Sequence, residues 1–477
     1  MPSELKNKVV KGAFWNFFEN LAHLGIGFIF SIILARLLSP KDYGAVAMLA
    51  IFIAISNTFV NSGFSTALIR KPDRTELDNS TAFYFNIFVG IACYILLFLI
   101  SPIVADFYNM PILSPVLKLS ALSVIFNSLS IVQHAQLSIR MDFKNLAKIT
   151  IISNIVTGFV GLYFAYTGWG VWALVFQSVT SSFIRMCLFW ILAKWRPRSG
   201  FSRESFKQLF GFGSKILASG VLNTTYGNIY LIVIGKIFSP FQLGLYSRGQ
   251  VFATIASDNI LAVIERVTFP AMSLIQNDDM RLESTYRRLI RISAFVIFPI
   301  SLLMATVASP LVDVLLTSKW SGCVIFIQIM CLSRMWMPIH ALNLNLLKVK
   351  GRSDLFLRLE IIKKTFGILI ICISLPFGIV ALCWGGVVSS IISLIINTYY
   401  TGKLINVGFV RQMLDLVPIL IISVAMVLLA VLPVIFISNT WAQLILGGAI
   451  GIISYLMISL VAKRPELKEI VDIVKRK

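Results

Sequence analysis

Charged residues are scarce in this chain. Asp, Glu, Lys and Arg make up 13% of the 477 residues, about half of the roughly 25% that is usual for a soluble globular domain. Hydrophobic residues make up 57%, and the mean hydropathy is +0.86. Because so much apolar surface cannot be hidden from water, we expect an integral membrane protein with no soluble domain.

Several chemical signatures are also missing. The cysteines stand singly, with no CxxC pair and no neighbouring His that would suggest a metal site. The absence of a Walker A motif argues against ATP-driven transport. No small-residue cleavage site follows the first apolar stretch, so we expect a retained helix rather than a signal peptide. No catalytic residue, metal or organic cofactor is therefore expected. The single cysteines are Cys93, Cys187, Cys323, Cys331, Cys372 and Cys383.

Long apolar segments follow one another along the whole chain, and each approaches the 20 or so residues that a helix needs to cross a bilayer. The pattern predicts an all-α membrane protein with about 14 transmembrane helices. The predicted segments are 12–38, 44–68, 80–106, 112–137, 145–166, 169–193, 208–236, 243–272, 289–316, 321–347, 355–375, 377–401, 411–436 and 441–462.

The formal net charge of +21 is concentrated in alternate short loops and in the tail after residue 462. Lys and Arg in short loops mark the cytoplasmic side of a membrane, so both termini are predicted to be cytoplasmic in a multi-pass protein of the bacterial inner membrane. Such loops attract anionic lipid head groups. Nucleic acid is not an expected partner, because no polar domain exists to present a basic patch.

An internal repeat divides the chain. The segment from Leu37 to Gly44, LLSPKDYG, is echoed 200 residues later by IFSPFQLG from Ile237 to Gly244. Ser-Pro is common at helix starts, so chance similarity is the alternative. A true repeat predicts two parallel six-helix lobes plus two extra helices: an N-lobe over 1–200, a C-lobe over 201–405, and helices 13 and 14 with the tail over 406–477. Transporters of this design bind substrate between their halves near the midplane.

The first predicted helix has a polar stripe formed by Trp15, Asn16, Glu19, Asn20 and His23. An ionisable side chain inside a membrane costs a few kcal/mol, so it should face a cavity or a partner rather than lipid. The stripe is predicted to line a cavity; the alternative is a hydrogen-bonded helix seam in which Glu19 pairs with a basic residue.

Arg248, Asp258 and Glu265 lie on the eighth predicted helix. Asp258 and Glu265 are seven residues apart and therefore share a face. Glu265 is also close enough to the inner membrane surface to extend its carboxylate into water, which is the alternative for that residue.

Arg334 lies about 20 Å into the tenth predicted helix, close to the midplane. Pro338 removes a backbone hydrogen bond to Arg334, so a kink is expected there. Lys364 lies within the eleventh helix, and Asn223 and Tyr226 lie in the seventh.

These cations suit a phosphate or pyrophosphate group, which Arg binds with its planar fork. We predict that Arg334, Arg248 and Lys364 bind pyrophosphate. Sugar hydroxyls and ring faces are predicted to contact the helix 1 stripe, Asn223 and Tyr226. Candidates for coupling to a proton or a sodium ion are Glu19, Asp258 and Glu265.

Three stretches resemble one known family: FIFSIILARLLSPKDYG from Phe28 to Gly44, LGLYSRGQ from Leu243 to Gln250, and TFPAMSLIQND from Thr268 to Asp278. With the helix count and the repeat, they make the chain similar to the Wzx-type polysaccharide flippases of the multidrug/oligosaccharidyl-lipid/polysaccharide exporter superfamily. The first two stretches contain Arg36 and Arg248.

The resemblance implies two six-helix bundles in a V around a central cavity, with undecaprenyl-pyrophosphate-linked oligosaccharide as the substrate and alternating access as the mechanism. It also implies that helices 13 and 14 form a groove for the lipid tail, and that the product serves surface polysaccharides such as lipopolysaccharide. A glycan polymerase and export machinery are the implied protein partners.

Two alternatives remain open. A drug or cation antiporter of the same superfamily should have midplane carboxylates without so many midplane cations. A membrane glycan polymerase or ligase should have a long external loop with catalytic Arg or His, whereas the loops predicted to be external here are short.

Overall fold

The computed structural model describes residues 25–61, 63–71 and 73–475. Throughout these ranges the regular secondary structure is helical, as expected for a chain that must satisfy its backbone hydrogen bonds inside lipid. The chain divides into two compact units, unit 1 (Met1–Gly244) and unit 2 (Leu245–Lys477). The three-part division predicted at residues 200 and 405 stays a prediction.

The helices that lie within unit 1 are α1 (Gly25–Leu37), α2 (Pro40–Asn61), α3 (Phe64–Arg70), α4 (Glu76–Phe107), α5 (Leu113–Ser120), α6 (Leu122–Ser128), α7 (Ile131–Ile139), α8 (Phe143–Tyr166), α9 (Val171–Leu192), α10 (Arg203–Gly227) and α11 (Ile229–Ile237). They pack both against sequence neighbours, as α8 does against α9, and against distant segments, as α2 does against α10.

The next helix, α12 (Pro240–Ser273), begins in unit 1 and continues into unit 2. The other elements of unit 2 are α13 (Asp279–Thr306), α14 (Ala308–Leu315), the 3₁₀ turn η1 (Ser318–Cys323), α15 (Val324–Arg334), α16 (Met337–Val349), α17 (Ser353–Ser374), η2 (Leu375–Phe377), α18 (Ile379–Ile405), α19 (Phe409–Phe436), α20 (Thr440–Val461) and α21 (Pro465–Lys475).

Each of the last thirteen predicted apolar segments coincides with a helix or a run of helices, and the described part of the first is helical from Gly25 to Leu37, so the all-α membrane fold is confirmed. By length and apolarity alone, ten helices among the described residues qualify as membrane spans, or eleven if the bent α10–α11 pair is one span. The count is lower than fourteen because the described part of α1 is short, while α12 and α17 contain many charged residues.

Several predicted spans are broken rather than continuous. α10 and α11 meet at 41°, and α15 ends at Arg334 while Pro338 lies in the first turn of α16. The break at Pro338 agrees with the predicted kink, since proline cannot donate the backbone hydrogen bond that would continue the helix. The segment predicted to begin at residue 289 starts ten residues earlier, because α13 begins at Asp279, and Arg287 therefore lies inside a helix.

The two copies of the repeated segment adopt the same local structure. The Ser39 N–H donates to Asp42 Oδ2 at 2.9 Å and the Asp42 N–H donates to Ser39 Oγ at 3.3 Å. Ser239 and Gln242 exchange the equivalent bonds at 3.3 and 3.2 Å. Both are capping boxes with proline in the first helical turn, and they fix where α2 and α12 begin.

The repeated segments also touch each other. A β carbon on Gly44 would lie 1.8 Å from the Pro240 carbonyl oxygen, and one on Gly244 would lie 1.8 Å from the Pro40 carbonyl oxygen. The contact is reciprocal, and a side chain at either position would collide with backbone. The matched contact supports the interpretation of the two segments as a true repeat.

Candidate functional site

The site that we describe lies in unit 2, where α12 meets the junction of α15 and α16. Nη1 of Arg334 donates to Oδ1 of Asp258 at 2.9 Å. The side chains of Arg334 and Asp258 are 23% and 48% exposed. Each residue lies near the middle of its apolar segment, so the exposed charge should face water or a polar ligand rather than acyl chains.

Local geometry holds Arg334 at this position. The helix ends there, and the preceding residue, Ser333, is bonded to α18: Ser333 Oγ donates to the Gly386 carbonyl at 3.3 Å, and Ser390 Oγ donates to the Ser333 carbonyl at 3.1 Å. On the other side, Ser257 Oγ donates to Asp258 Oδ1 at 2.9 Å. Ser333 and Ser390 thus fix the backbone beside Arg334, and Ser257 orients the Asp258 carboxylate.

The same Ser390 links this junction to a histidine. His340 Nε2 lies 3.2 Å from Ser390 Oγ, and its Nδ1 lies 3.2 Å from Nδ2 of Asn397, which is fully buried. The sequence indicated that His340 follows Arg334 on the tenth span, but the partners on α18 could not be read from spacing.

The two lysines of α17 are paired within their own helix. Lys363 Nζ lies 2.5 Å from Glu360 Oε1, and Lys364 Nζ lies 3.9 Å from Glu360 Oε2. Lys364 was predicted to bind pyrophosphate beside Arg334. Its side chain is about one quarter exposed and shares one carboxylate with Lys363, so that assignment stays a prediction.

Arg248 is buried within the protein, at 3% exposure. Its guanidinium carbon lies 5.9 Å from the ring centres of Phe252 and Trp320, close enough for cation–π attraction. In this conformation the aromatic rings cover Arg248, so Arg248 can contact a substrate directly only if the rings move. Its predicted role in binding pyrophosphate stays a prediction.

Two of the predicted sugar contacts lie on α10. Asn223 is exposed and Tyr226 is half-buried. The neighbouring Thr224 hydroxyl lies 3.1 Å from the Thr58 hydroxyl on α2, which fixes this turn of α10 inside unit 1. Both residues belong to unit 1, and their predicted contact with sugars stays a prediction.

The remaining predicted site residues lie outside the described structure. They are Trp15, Asn16, Glu19, Asn20, His23 and the side chain of Glu265. Their assignment to sugar contact or ion coupling stays a prediction.

Residues that the sequence did not single out also contribute polar groups. Arg185 is half-buried well inside the apolar helix α9, where the depth argument used for Arg334 would have found it. Asp415 on α19 accepts both arms of Arg287, at 2.8 and 2.9 Å, inside unit 2. In the described residues no cluster of three or more His, Cys, Asp or Glu has the geometry of a metal site.

Similarity to known proteins extends over most of the chain. A family model described as "Polysaccharide biosynthesis protein" matches residues 33–325. The chain is 23% identical to the lipopolysaccharide biosynthesis protein WzxC of Escherichia coli K12, covering 75% of this chain and 73% of that one. It is also 23% identical to the succinoglycan biosynthesis transport protein ExoT of Rhizobium meliloti, covering 99% and 97%.

The fold has a solved counterpart. A structure of the lipid II flippase MurJ in an inward closed conformation superposes with a TM-score of 0.77, covering 95% of this chain and 99% of that chain at 14% identity. At this level of identity the likeness concerns the fold alone.

Proposed function

This chain belongs to the polysaccharide biosynthesis protein family, and from that premise we propose that it moves polyprenyl-pyrophosphate-linked oligosaccharide units across the membrane. It is a multi-pass membrane protein and a transporter rather than an enzyme. The lipid-linked oligosaccharide is its substrate, and the units are used to build surface polysaccharide.

The observation that supports this function in the chain's own residues is the Arg334–Asp258 ion pair. In the protein without substrate, the Asp258 carboxylate lies 2.9 Å from the Arg334 guanidinium and compensates its charge, and the Arg334 side chain is 23% exposed. The guanidinium near the middle of the membrane is therefore ready to bind an anion, and it is not left as an uncompensated charge when the site is empty. Pyrophosphate presents several oxygens to the guanidinium fork, whereas Asp258 uses one oxygen.

We propose an exchange of partners as the binding step. The pyrophosphate of the substrate enters beside Arg334 and takes over its N–H donors. Asp258 then keeps the hydrogen bond from Ser257 but loses its cation, so it becomes the natural place for a proton or a sodium ion. Release of the substrate restores the ion pair.

Lys364 and Arg248 are proposed to assist this step. Lys364 lies on a helix whose two lysines share Glu360, so an anion can draw Lys364 away at little cost. Arg248 joins only after Trp320 and Phe252 uncover it. Asn223, Tyr226 and the helix 1 stripe are proposed to contact the sugars while the polyprenyl tail stays in lipid.

Location and partners follow from this role. We propose that the protein lies in the bacterial cytoplasmic membrane with both termini in the cytoplasm, which the basic alternate loops support. A glycan polymerase and export machinery would take the flipped unit on the outer side.

Deleting the gene tests this proposal in cells. Loss of the transporter should make unflipped polyprenyl-linked oligosaccharide accumulate on the cytosolic leaflet and should abolish the surface polysaccharide. Complementation with the wild-type chain should reverse both effects, and complementation with Arg334→Ala at equal expression should not.

Two results would contradict the proposal. Normal surface polysaccharide without this chain would remove it from the pathway. Efflux of a fluorescent cationic drug that depends on this chain, with no change in lipid-linked oligosaccharide, would favour the antiporter.

A further inference from the structure

A small pocket opens in unit 1 between α3 and α10. Its volume is about 220 Å³, and it is lined by Ala67, Arg70, Lys71, Gln208 and Leu209. We propose that this pocket binds the phosphodiester head group of an anionic phospholipid from the surrounding bilayer.

The pocket is built by the way in which the two helices approach each other. Near the start of α3, Gly63 adopts a φ of +69°, and a β carbon there would lie 2.9 Å from the backbone of Gly213 on α10. Toward the end of α3 the helices are joined instead by long side chains, with Lys71 Nζ donating to Gln208 Oε1 at 3.2 Å. At the Gly63–Gly213 contact the two helices approach too closely to leave a space between them. At the Lys71–Gln208 contact the long side chains span a wider gap, and this gap is the pocket.

The rim of the pocket is cationic. Arg70 is exposed, and the Lys71 ammonium bonds to Asp78 at 2.8 Å while its side chain remains 25% exposed. Two of the nearby acids are engaged in the structure itself: Asp78 also accepts from the Thr75 backbone at 2.8 Å, and Glu76 accepts from the Trp195 indole at 3.0 and 3.1 Å. The rim therefore offers positive charge to a ligand from outside.

The floor of the pocket is apolar. Ala67 and Leu209 are buried, and directly around them the rings of Phe64 and Phe206 stack at 6.1 Å and those of Phe206 and Phe210 at 5.2 Å. A free phosphate gains nothing from such a floor, but the glycerol and first acyl carbons of a lipid bury apolar surface there.

The position suits a lipid as well. The pocket lies where one candidate span, Pro40–Arg70, ends and the next, Glu76–Phe107, begins, which is the level of the head groups. A basic pocket between membrane helices is a recognised type of site for anionic lipids. The inference does not depend on the transport function, and its failure would leave that function untouched.

The test uses the purified full-length protein in nanodiscs of pure phosphatidylcholine or of phosphatidylcholine with added phosphatidylglycerol. We expect phosphatidylglycerol to raise the thermal unfolding midpoint and to be retained by the protein in native mass spectrometry. Arg70→Gln should weaken this binding by about fivefold, the effect of one surface charge, and Arg70→Lys should restore most of it.

Lys207→Gln is the matched control, because Lys207 is exposed on the same helix beside Gln208 but does not line the pocket. It should retain wild-type lipid binding. Equal losses in Arg70→Gln and Lys207→Gln would overturn the proposal, since they would indicate general attraction to a basic surface. An equal rise in the unfolding midpoint when inorganic phosphate or pyrophosphate is added to the protein in phosphatidylcholine nanodiscs would also overturn the proposal. It would show that the pocket binds phosphate without needing the rest of the lipid.

Discussion

Arg334 and Asp258 are 76 residues apart in sequence, on α15 and α12, and their side chains meet at 2.9 Å. Their charges compensate each other while both side chains remain partly exposed. Such a pair is stable without substrate and open to exchange with it.

The pair therefore predicts unequal effects of two substitutions. Arg334→Ala removes the donor to phosphate, and losing charge-assisted hydrogen bonds costs about 1.5–3 kcal/mol, so substrate affinity should fall about 10- to 100-fold. Asp258→Asn removes only the carboxylate that competes with pyrophosphate for Arg334. Substrate affinity should therefore be unchanged or higher, while transport becomes less sensitive to pH or sodium. Binding and flipping of lipid-linked oligosaccharide by purified variants measure the two effects. A larger affinity loss in Asp258→Asn than in Arg334→Ala would contradict partner exchange.

The glycine contact predicts a position-specific loss of stability. Gly44→Ala or Gly244→Ala would force a β carbon to within 1.8 Å of a carbonyl oxygen, and overpacking of this kind costs about 1–3 kcal/mol. Thermal unfolding in detergent should show a lower midpoint for either variant. Gly448→Ala is the control, because no atom lies within 4 Å of its β carbon, and alanine should stabilise that helix slightly. Equal midpoints for all three variants would mean that the repeated segments do not pack as described.

The fold was largely predictable from sequence because a long apolar run has few alternatives to a helix in lipid. The break at Pro338 was also predictable, because proline cannot donate the backbone hydrogen bond that would continue the helix. The bend near Asn228 was not, because no proline marks it. Single site residues such as Arg334 and Asp258 could be chosen from depth, but their pairing depends on tertiary structure. The burial of Arg248 under Trp320 likewise has no signal in spacing.

The C-terminal helix predicts a contrast between two acidic residues. Glu466 is 2% exposed and contacts Arg291 at 3.4 Å and Arg464 at 3.2 Å. Glu466→Gln removes the buried negative charge that these two cations contact and weakens their hydrogen bonds, which should cost about 1–3 kcal/mol. Glu469→Gln breaks a more exposed pair with Arg288 and should cost about 0–1 kcal/mol. Thermal unfolding compares them, and a larger loss in Glu469→Gln would mean that α21 is not docked through Glu466.

A buried polar network in unit 2 predicts coupled substitutions. The Gln412 amide nitrogen lies 3.1 Å from both Asn343 Oδ1 and Thr401 Oγ1 and 3.2 Å from the Tyr286 hydroxyl. Gln412→Leu should cost about 1–3 kcal/mol, because it leaves buried polar atoms unsatisfied. Thr401→Val should add less in that background than alone, since residues in one network are not additive. Strict additivity in the unfolding midpoints would show that the two side chains act separately.

The most direct test of the central claim is flipping by the purified protein in liposomes that contain polyprenyl-pyrophosphate-linked oligosaccharide. A membrane-impermeant glycosidase added outside should cut only the outer-leaflet glycan in protein-free vesicles, and nearly all of it when the wild-type protein is present. Arg334→Ala vesicles should resemble the protein-free ones. Wild-type vesicles that protect the inner-leaflet glycan as well as empty ones do would contradict the account.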